Sequence, residues 1–384
     1  MTTAGITLSV VSRIDEIAAP DWDACAGAEN PFVSHAFLYC LEESGSATAK
    51  TGWLPQHLLV KDKTGSLIAC APLYLKSHSY GEYVFDQGWA DAYQRAGGRY
   101  YPKIQGCVPF SPVPGPRLLI REDAPADTQE ALIQGLLAVA REHKASSLHI
   151  TFPTESEWHE LGEAGFLQRT GVQFHWENHG YGGFEDFLGA LASRKRKQIR
   201  KERREAGDSG LTIRTLSGTE ITPHHWNAFY QFYLSTVDRK WGSAYLTRRF
   251  FQLLGERLGD RVVLVVAERD GEPVAGALNL RGADTLYGRN WGAAEDYKFL
   301  HFEACYYRAI DFAIAHGLKR VEAGAQGTHK IQRGYLPQRT FSAHWIRDKS
   351  FSDAVGNFLV HERRAIDAEI ASLAELSPFK QEQD

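Results

Sequence analysis

Residues Lys319 to Pro337 read K-R-V-E-A-G-A-Q-G-T-H-K-I-Q-R-G-Y-L-P, a stretch into which a strand, glycines and reactive polar groups are crowded. A short strand, Arg320 to Ala323, comes first. Gly324, Gly327 and Gly334 follow, and glycine turns the backbone tightly without a Cβ penalty. Between them lie groups able to do chemistry: Glu322, Gln326, His329, Lys330, Gln332 and Arg333. A polar, glycine-rich loop at a strand end is a common position for a site on an α/β scaffold. The same residue types also make an ordinary solvated loop.

Working upstream, Phe302 to His316 has apolar residues at helical spacing, and Gly317 stands where a helix C-cap belongs. Thr285 to Trp291 reads as a strand. Val262 to Arg269 and Pro273 to Arg281 form a hairpin across Asp270-Gly271, the strongest hairpin signal in the chain. Before them come helices Pro223 to Asp238 and Thr247 to Leu258, preceded by strand Leu211 to Leu216. Downstream, Thr340 to Ile346 is a strand and Phe351 to Leu376 an amphipathic helix.

The first half has the same order. Ile6 to Val11 is a strand. Pro20 to Cys25 and Ser34 to Gly45 are helices. His57 to Lys63 and Ser66 to Lys76 form a hairpin, Asp127 to His143 a helix and Ser147 to Phe152 a strand. Helix Glu157 to Gly165 and strand Val172 to Glu177 complete it. The chain therefore reads as a structural duplication of α+β type. Each half is a mixed, mostly antiparallel sheet flanked by helices. Turn-rich Asn178 to Gly183 marks the boundary between domains 1–182 and 183–384.

A length of 384 residues suits two domains, and a net charge of −4 makes any nucleic-acid contact a matter of a local patch. One such patch exists: eight of the eleven residues from Arg194 to Arg204 are basic. Arg196, Lys197 and Arg200 on this helix are candidate anion-binding residues, against the plain alternative of a solvated face. A second unusual segment, Tyr80 to Tyr101, crowds aromatics around Asp86, with Lys103 just beyond. It reads equally as a ligand groove, with Asp86, Tyr101 and Lys103 as substrate contacts, or as an irregular core. Five cysteines follow no zinc or disulfide spacing, and no apolar run is long enough to span a bilayer. Met1 to Ile14 lacks signal-peptide character. The expectation is a cytoplasmic protein, peripheral to the inner membrane at most.

The order within each half resembles the GNAT acyltransferase fold, and two halves in tandem resemble the Fem family of peptidoglycan aminoacyltransferases. The segment Ser193 to Gly207 leading into strand Leu211 to Arg214 is similar to the Lys/Arg-rich helix that opens the second Fem domain. Glu322 to Gly327 followed by His329 to Tyr335 resembles the Fem run of acidic strand end, glycines and F-K-x-x-F-G. His78 to Asp86, Tyr100 to Lys103, His301 to Tyr307 and Gly324 to Lys330 match the Fem-like peptidoglycan biosynthesis/recognition branch. The resemblance implies an N-acyltransferase moving an acyl or aminoacyl group to an amine, in cell-envelope metabolism. GNAT enzymes cradle the donor pyrophosphate on Q/R-x-x-G-x-G/A at a helix N-terminus. The corresponding residues, Ala294 to His301, hold no glycine. That leaves aminoacyl-tRNA or acyl-CoA as the co-substrate, with no tightly bound cofactor. A tRNA or an anionic membrane surface would suit the basic helix.

Acyl transfer to an amine needs a base, donors for the developing oxyanion and a proton for the leaving group. Glu322, His329 and Glu303 are candidate bases, Asn290 an oxyanion donor at a strand end and Tyr307 a proton donor. Trp291 and Gln326 are expected to contact substrate. Lys330 and Arg333 are expected to clamp an anionic carrier. His224-His225 lacks a third ligand, so no metal site is expected. The rival reading is a non-catalytic protein that holds nucleic acid, an anionic lipid or a cell-wall precursor on the basic helix.

Overall fold

The computed structural model describes residues 2–3, 5–239, 243–324 and 327–380. The chain opens with β1 (Thr2–Thr3), β2 (Ile6–Val11), α1 (Ala19–Ala26), α2 (His35–Glu43), β3 (Trp53–Pro55), β4 (His57–Lys61), β5 (Leu67–Ala71) and β6 (Leu73–Lys76). Next come α3 (Gln87–Arg95), β7 (Lys103–Gly106), β8 (Leu119–Ile120), α4 (Thr128–Glu142), β9 (Ser147–Thr151), α5 (Glu155–Glu163) and β10 (Leu167–Glu177). The second half runs α6 (Phe184–Ala190), α7 (Ser193–Gly207), β11 (Thr212–Ser217), α8 (Pro223–Arg239), α9 (Arg248–Leu258), β12 (Val262–Arg269), β13 (Glu272–Arg281) and β14 (Thr285–Ala293). It ends with α10 (Leu300–Phe302), a π-turn (Glu303–Tyr307), α11 (Arg308–Ala315), β15 (Arg320–Glu322), β16 (Leu336–Ile346) and α12 (Lys349–Ala374).

Two compact units result. One comprises Met1–Gly171 with Thr340–Asp367, the other Val172–Arg339 with Ala368–Asp384. The sequence places its boundary at 182/183. In the structure the chain leaves the first unit inside β10 and re-enters it inside β16, so most of the last strand and helix belong to the first unit. Turn signals mark where a chain bends. They do not mark which core a strand's buried face joins.

In the first unit β1, β2, β4, β5 and β8 form an antiparallel sheet. Pro72, which has no N–H to donate, separates β5 from β6. From there β3, β6, β7, β9 and β16 pair in that order, with β7 and β9 parallel. α4 places Leu132, Leu136, Leu137 and Ala140 against Leu58, Ile68, Ile104 and Ile150, the i, i+4 stripe expected of a helix on a sheet. The aromatic segment resolves into α3: Trp89 and Tyr100 enter the core, while Tyr80, Tyr83 and Phe85 stay exposed.

In the second unit the order is β11-β12-β13-β14-β15-β10, antiparallel except for β14 beside β15. The Asp270-Gly271 hairpin forms as the sequence requires, with both residues at positive φ, 52° and 84°. α11 packs Ile310 and Ala313 on Val321 and Leu286, and α8 covers the opposite face. Gly292 permits that approach, because a Cβ there would stand 2.1 Å from the carbonyl oxygen of Phe232. Backbone cannot swing aside as a side-chain tip can. Gly292→Ala is expected to lower unfolding free energy by roughly 1–3 kcal/mol or more, measured by urea denaturation with an unchanged m-value.

Candidate active site

The parallel pair of the second unit carries the site. Its register is Thr285 with Arg320, Leu286 with Val321 and Tyr287 with Glu322. Beyond that point the two chains follow different neighbours. β14 continues against β13 to Ala293, whereas Ala323 and Gly324 exchange backbone hydrogen bonds with Phe174 of β10. A bulge makes Arg289 the extra residue between the pairs Leu278–Asn290 and Asn279–Gly288. Bulges re-aim side chains and recur beside active sites. Gly288 keeps the strands close here: a Cβ on it would lie 3.1 Å from the carbonyl oxygen of Glu322. Ligands in open α/β sheets bind outside the carboxyl ends of such strands.

Glu322 is the last residue of β15 and is buried. Burial, the largest cause, pushes its carboxyl up to about 8; Arg320 and Arg289 pull it down, Glu177 and Asp284 push it up. Its Oε2 is enclosed with no hydrogen-bond partner. Directly across the antiparallel register stands His175, and across the parallel register Tyr287. Burial, then Arg320 and Lys330, hold the His175 imidazole down at about 3, so it is neutral near pH 7. Burial likewise raises the Tyr287 phenol, which stays protonated. A carboxyl that titrates near neutrality between neutral neighbours is suited to proton transfer. His175 and Tyr287 escape the sequence reading. Their signal is the period-two alternation of polar Gln173, His175 and Glu177 with Phe174 and Trp176.

In the turn after β15, His329 Nε2 lies 3.0 Å from the hydroxyl of Tyr306, which packs with Val321 and Leu286 on the α11 side of the sheet, and burial lowers the His329 pKa from its ordinary value. His301 meets the half-buried Trp291 edge-on, with ring centroids 5.4 Å apart. Asn290 lies within β14 opposite Leu278 rather than at a strand end. Gln326 lies outside the described residues.

Other candidates are held by internal contacts. The π-turn widens the helix, so that adjacent Tyr306 and Tyr307 are both buried where an α-helical spacing would bury only one. The Tyr307 hydroxyl donates to Glu202, and Arg333 grips both oxygens of Glu202 at 2.9 and 2.8 Å. Glu303 pairs with Arg203 and Arg308 at 3.1 and 2.9 Å. Lys330 Nζ donates to the carbonyls of Ala323 and Gly324, 2.5 and 3.1 Å away. The expected clamps Lys330 and Arg333, and the expected base Glu303, therefore hold the loop, α7 and the π-turn together. On α7, Ile199, Glu202 and Ala206 face inward. Arg200 reaches Glu185 at 2.5 Å, while Arg194, Arg196 and Lys197 form no salt bridge among the described residues.

In the first unit, Lys103 Nζ donates to Ser79 (2.8 Å), Glu82 (2.6 Å) and Asp86 (2.5 Å). Tyr100 donates to the same Asp86 oxygen at 2.7 Å. Tyr101 hydrogen-bonds Ser79 at 2.8 Å. Lys76 is the register partner of Lys103. Two lysines opposite one another repel, and Glu82, 3.6 Å from Lys76 Nζ, lies between them. Burial, opposed by Glu82, lowers the Lys76 amine to about 7. Burial works against ionised Asp86, but Lys103 and His149 hold its carboxyl well below the usual range. His149 and His344 share a hydrogen bond of 2.7 Å between Nδ1 atoms. Asp86 and Lys103 thus meet as the sequence suggested, but in a buried ionic cluster instead of a groove, with half-buried Tyr101 at its edge on Ser79. Lys103→Met leaves two buried carboxylates short of a partner, and a loss of about 3–5 kcal/mol in chemical denaturation is expected.

Glu322 gives a second test. The folded chain keeps this proton up to about pH 8, whereas the ordinary carboxyl releases it near 4.5. Between those values the folded state binds more protons, so stability falls as pH rises, by up to ~1.4 kcal/mol per unit. Glu322→Gln should remove that slope. Comparing wild type and variant from pH 5 to 7 by urea denaturation checks it, since the Lys76 amine, lowered to about 7, is common to both proteins and cancels in the difference.

The sequence matches, over residues 13–381, the family described as FemAB-like, peptidoglycan biosynthesis/recognition. No curated protein matches the chain. Among solved structures, FemX is similar at 11% identity and a TM-score of 0.57, covering 88% of this chain and 98% of its own. The C-terminal domain of a chain assigned as a lysylphosphatidylglycerol synthetase of Agrobacterium fabrum has 9% identity and a TM-score of 0.56, covering 89% and 96%. L-PGS of Bacillus licheniformis has 11% identity and a TM-score of 0.50, covering 92% and 99%. At these identities the likeness establishes the fold, the tandem GNAT-like arrangement of Fem type.

Proposed function

The chain belongs to the FemAB-like family, by description one of peptidoglycan biosynthesis/recognition, and from that membership we propose that it is an acyltransferase that moves an acyl or aminoacyl group to an amine in cell-envelope metabolism. The observation that carries the reading is Glu322, a buried carboxyl with a pKa near 8 at the carboxyl end of the parallel pair. An amine must lose a proton before or as it attacks a carbonyl, and a base whose pKa lies near the working pH does this best. The backbone around the Arg289 bulge is the surface against which the acyl carbonyl would lie.

The donor is a carrier with negative charge, aminoacyl-tRNA or acyl-CoA. Arg194, Arg196 and Lys197 support this, being cations on α7 without a salt-bridge partner among the described residues, next to paired Arg200. Phosphate oxygens would meet that need. The internal engagement of Lys330 and Arg333 shifts the anion contact from the loop to this helix. No helix among the described residues is long and apolar enough to cross a membrane. A membrane contact, with an acceptor in the envelope precursor pool, would therefore be peripheral at the described helices. Glu322→Gln keeps the shape of the side chain and removes the base. Its kcat/KM in a transfer assay should fall by ~10²–10⁴ with an unaltered circular dichroism spectrum, and undiminished turnover would refute Glu322 as the base.

A further inference from the structure

We propose that Cys25 and Cys70 are a hydroperoxide-reactive thiol pair in the first unit, Cys25 taking the peroxide oxygen from an adjoining cavity and Cys70 closing the disulfide. The inference concerns thiol chemistry and does not rest on the acyl-transfer reading.

Three observations carry it. First, the fold brings the two thiols together. Trp22, Cys25 and Ala26 form the inward face of α1, the i, i+3, i+4 stripe of a packed helix, and α1 lies on β5 and β8. Cys70 of β5 is the register partner of Leu119 of β8, and residues opposite one another in an antiparallel pair share a face of the sheet. At this contact the Cys25 and Cys70 thiols are hydrogen-bonded to each other. Second, only one of the two meets open space. Cys25 lines a cavity of about 710 Å³ with Pro116, Leu118, Leu119, Ile120 and Arg121, whereas Cys70 is fully buried. The Arg121 guanidinium is fixed by Asp123 at 3.0 Å and the Leu67 carbonyl at 3.3 Å. Third, the surroundings set the two sulfurs apart. The hydrogen bond with Cys70, joined by the charge and backbone of Arg121, holds the Cys25 thiol below its ordinary value against burial and Asp21. Burial, then Cys25, push the Cys70 thiol well up. Burial also raises Cys107, to about 12, and Cys305. The thiolate is the nucleophile, so Cys25 is the thiol that reacts first. A lowered thiol beside open space and next to a second cysteine is the arrangement of redox-reactive pairs.

The chemistry closes on these two sulfurs. The Cys25 sulfur attacks one oxygen of the hydroperoxide. An S–O bond forms, the O–O bond breaks, and the other oxygen leaves with the Cys25 proton as water or an alcohol. The Cys70 sulfur then attacks the sulfur of the Cys25 sulfenic acid. The S–S bond forms, the S–O bond breaks, and the hydroxyl leaves with the Cys70 proton as water. The hydroperoxide is reduced by two electrons and two thiols become one disulfide, which a dithiol reductant returns to its starting state.

The test treats the reduced full chain with equimolar hydrogen peroxide, unfolds it in urea with N-ethylmaleimide, and maps the cysteines by peptide mass spectrometry. The untreated chain has five thiols to alkylate. The expected result is the loss of two, recovered as one Cys25–Cys70 cross-linked peptide, with Cys40, Cys107 and Cys305 still alkylated. Dithiothreitol should restore all five. In Cys70→Ala the oxidation should stop at a Cys25 sulfenic acid that dimedone traps, and in Cys25→Ala Cys70 should stay reduced. A chain that keeps all five thiols, a first reaction at Cys40, Cys107 or Cys305, or Cys25 oxidised without linkage to Cys70 would each overturn the proposal. So would the same cross-link yield when peroxide is added after unfolding, because the pair would then owe nothing to the fold. The wild-type map decides the matter even where a variant fails to fold.

Discussion

The second unit depends on a parallel pairing that lasts only three residues. β14 and β15 run parallel only as far as Tyr287 and Glu322, after which each chain keeps only the antiparallel neighbour on its other side. Antiparallel pairs are slightly the more stable per residue, so the divergence needs no outside force. The bulge at Arg289 and the missing Cβ at Gly288 let it begin without a gap in packing. What it leaves is a strand end with one face on α11 and the other lined by polar side chains. Glu322 inherits its properties from that position.

The first unit has the same arrangement, and the two read as variants of one plan. β7 and β9 are its parallel pair, and β16 flanks β9 as β10 flanks β15. His149 of β9 stands opposite His344 of β16, as Glu322 of β15 stands opposite His175 of β10. In the first unit the two are hydrogen-bonded to each other and burial keeps the His149 imidazole at about 3. Lys103, Glu82 and Asp86 close the neighbouring space. The polar face of the first unit thus pairs its charges internally, although Glu82 Oε1 and Asp86 Oδ1 there, like Glu322 Oε2 in the second unit, lack a hydrogen-bond partner.

Most of the element order was legible in the sequence because it rests on local rules. Asp270-Gly271 takes the positive φ angles of a hairpin turn, Gly317 follows α11 at φ 64°, and Ile199, Glu202 and Ala206 face inward on α7. Of the site, Glu322 was legible from its place at the end of a short strand before glycines. The misreadings share a cause. Lys330, Arg333, Lys103 and Asp86 are charged, and charge in a loop suggests a ligand. Their partners, among them Glu202 and Glu82, lie 14 to 131 positions away for the side-chain pairs, and spacing along the chain carries no trace of such pairing. His175 and Tyr287 were missed for the converse reason: alone they are a core histidine and a strand tyrosine, and only the register gives them a shared neighbour.

The sealed cluster of the first unit bears on how such a sequence can drift. Lys76, Glu82, Asp86, Tyr100 and Lys103 balance one another in a volume closed to water. Exchanging one member strands the rest, whereas exchanging the whole set for apolar residues of similar volume can be neutral or better. Relatives of this chain should therefore differ here by blocks, keeping both lysines with both carboxylates or none of them. Intermediates with an odd charge would be rare, which gives the positions a joint history that single-residue comparison would overlook.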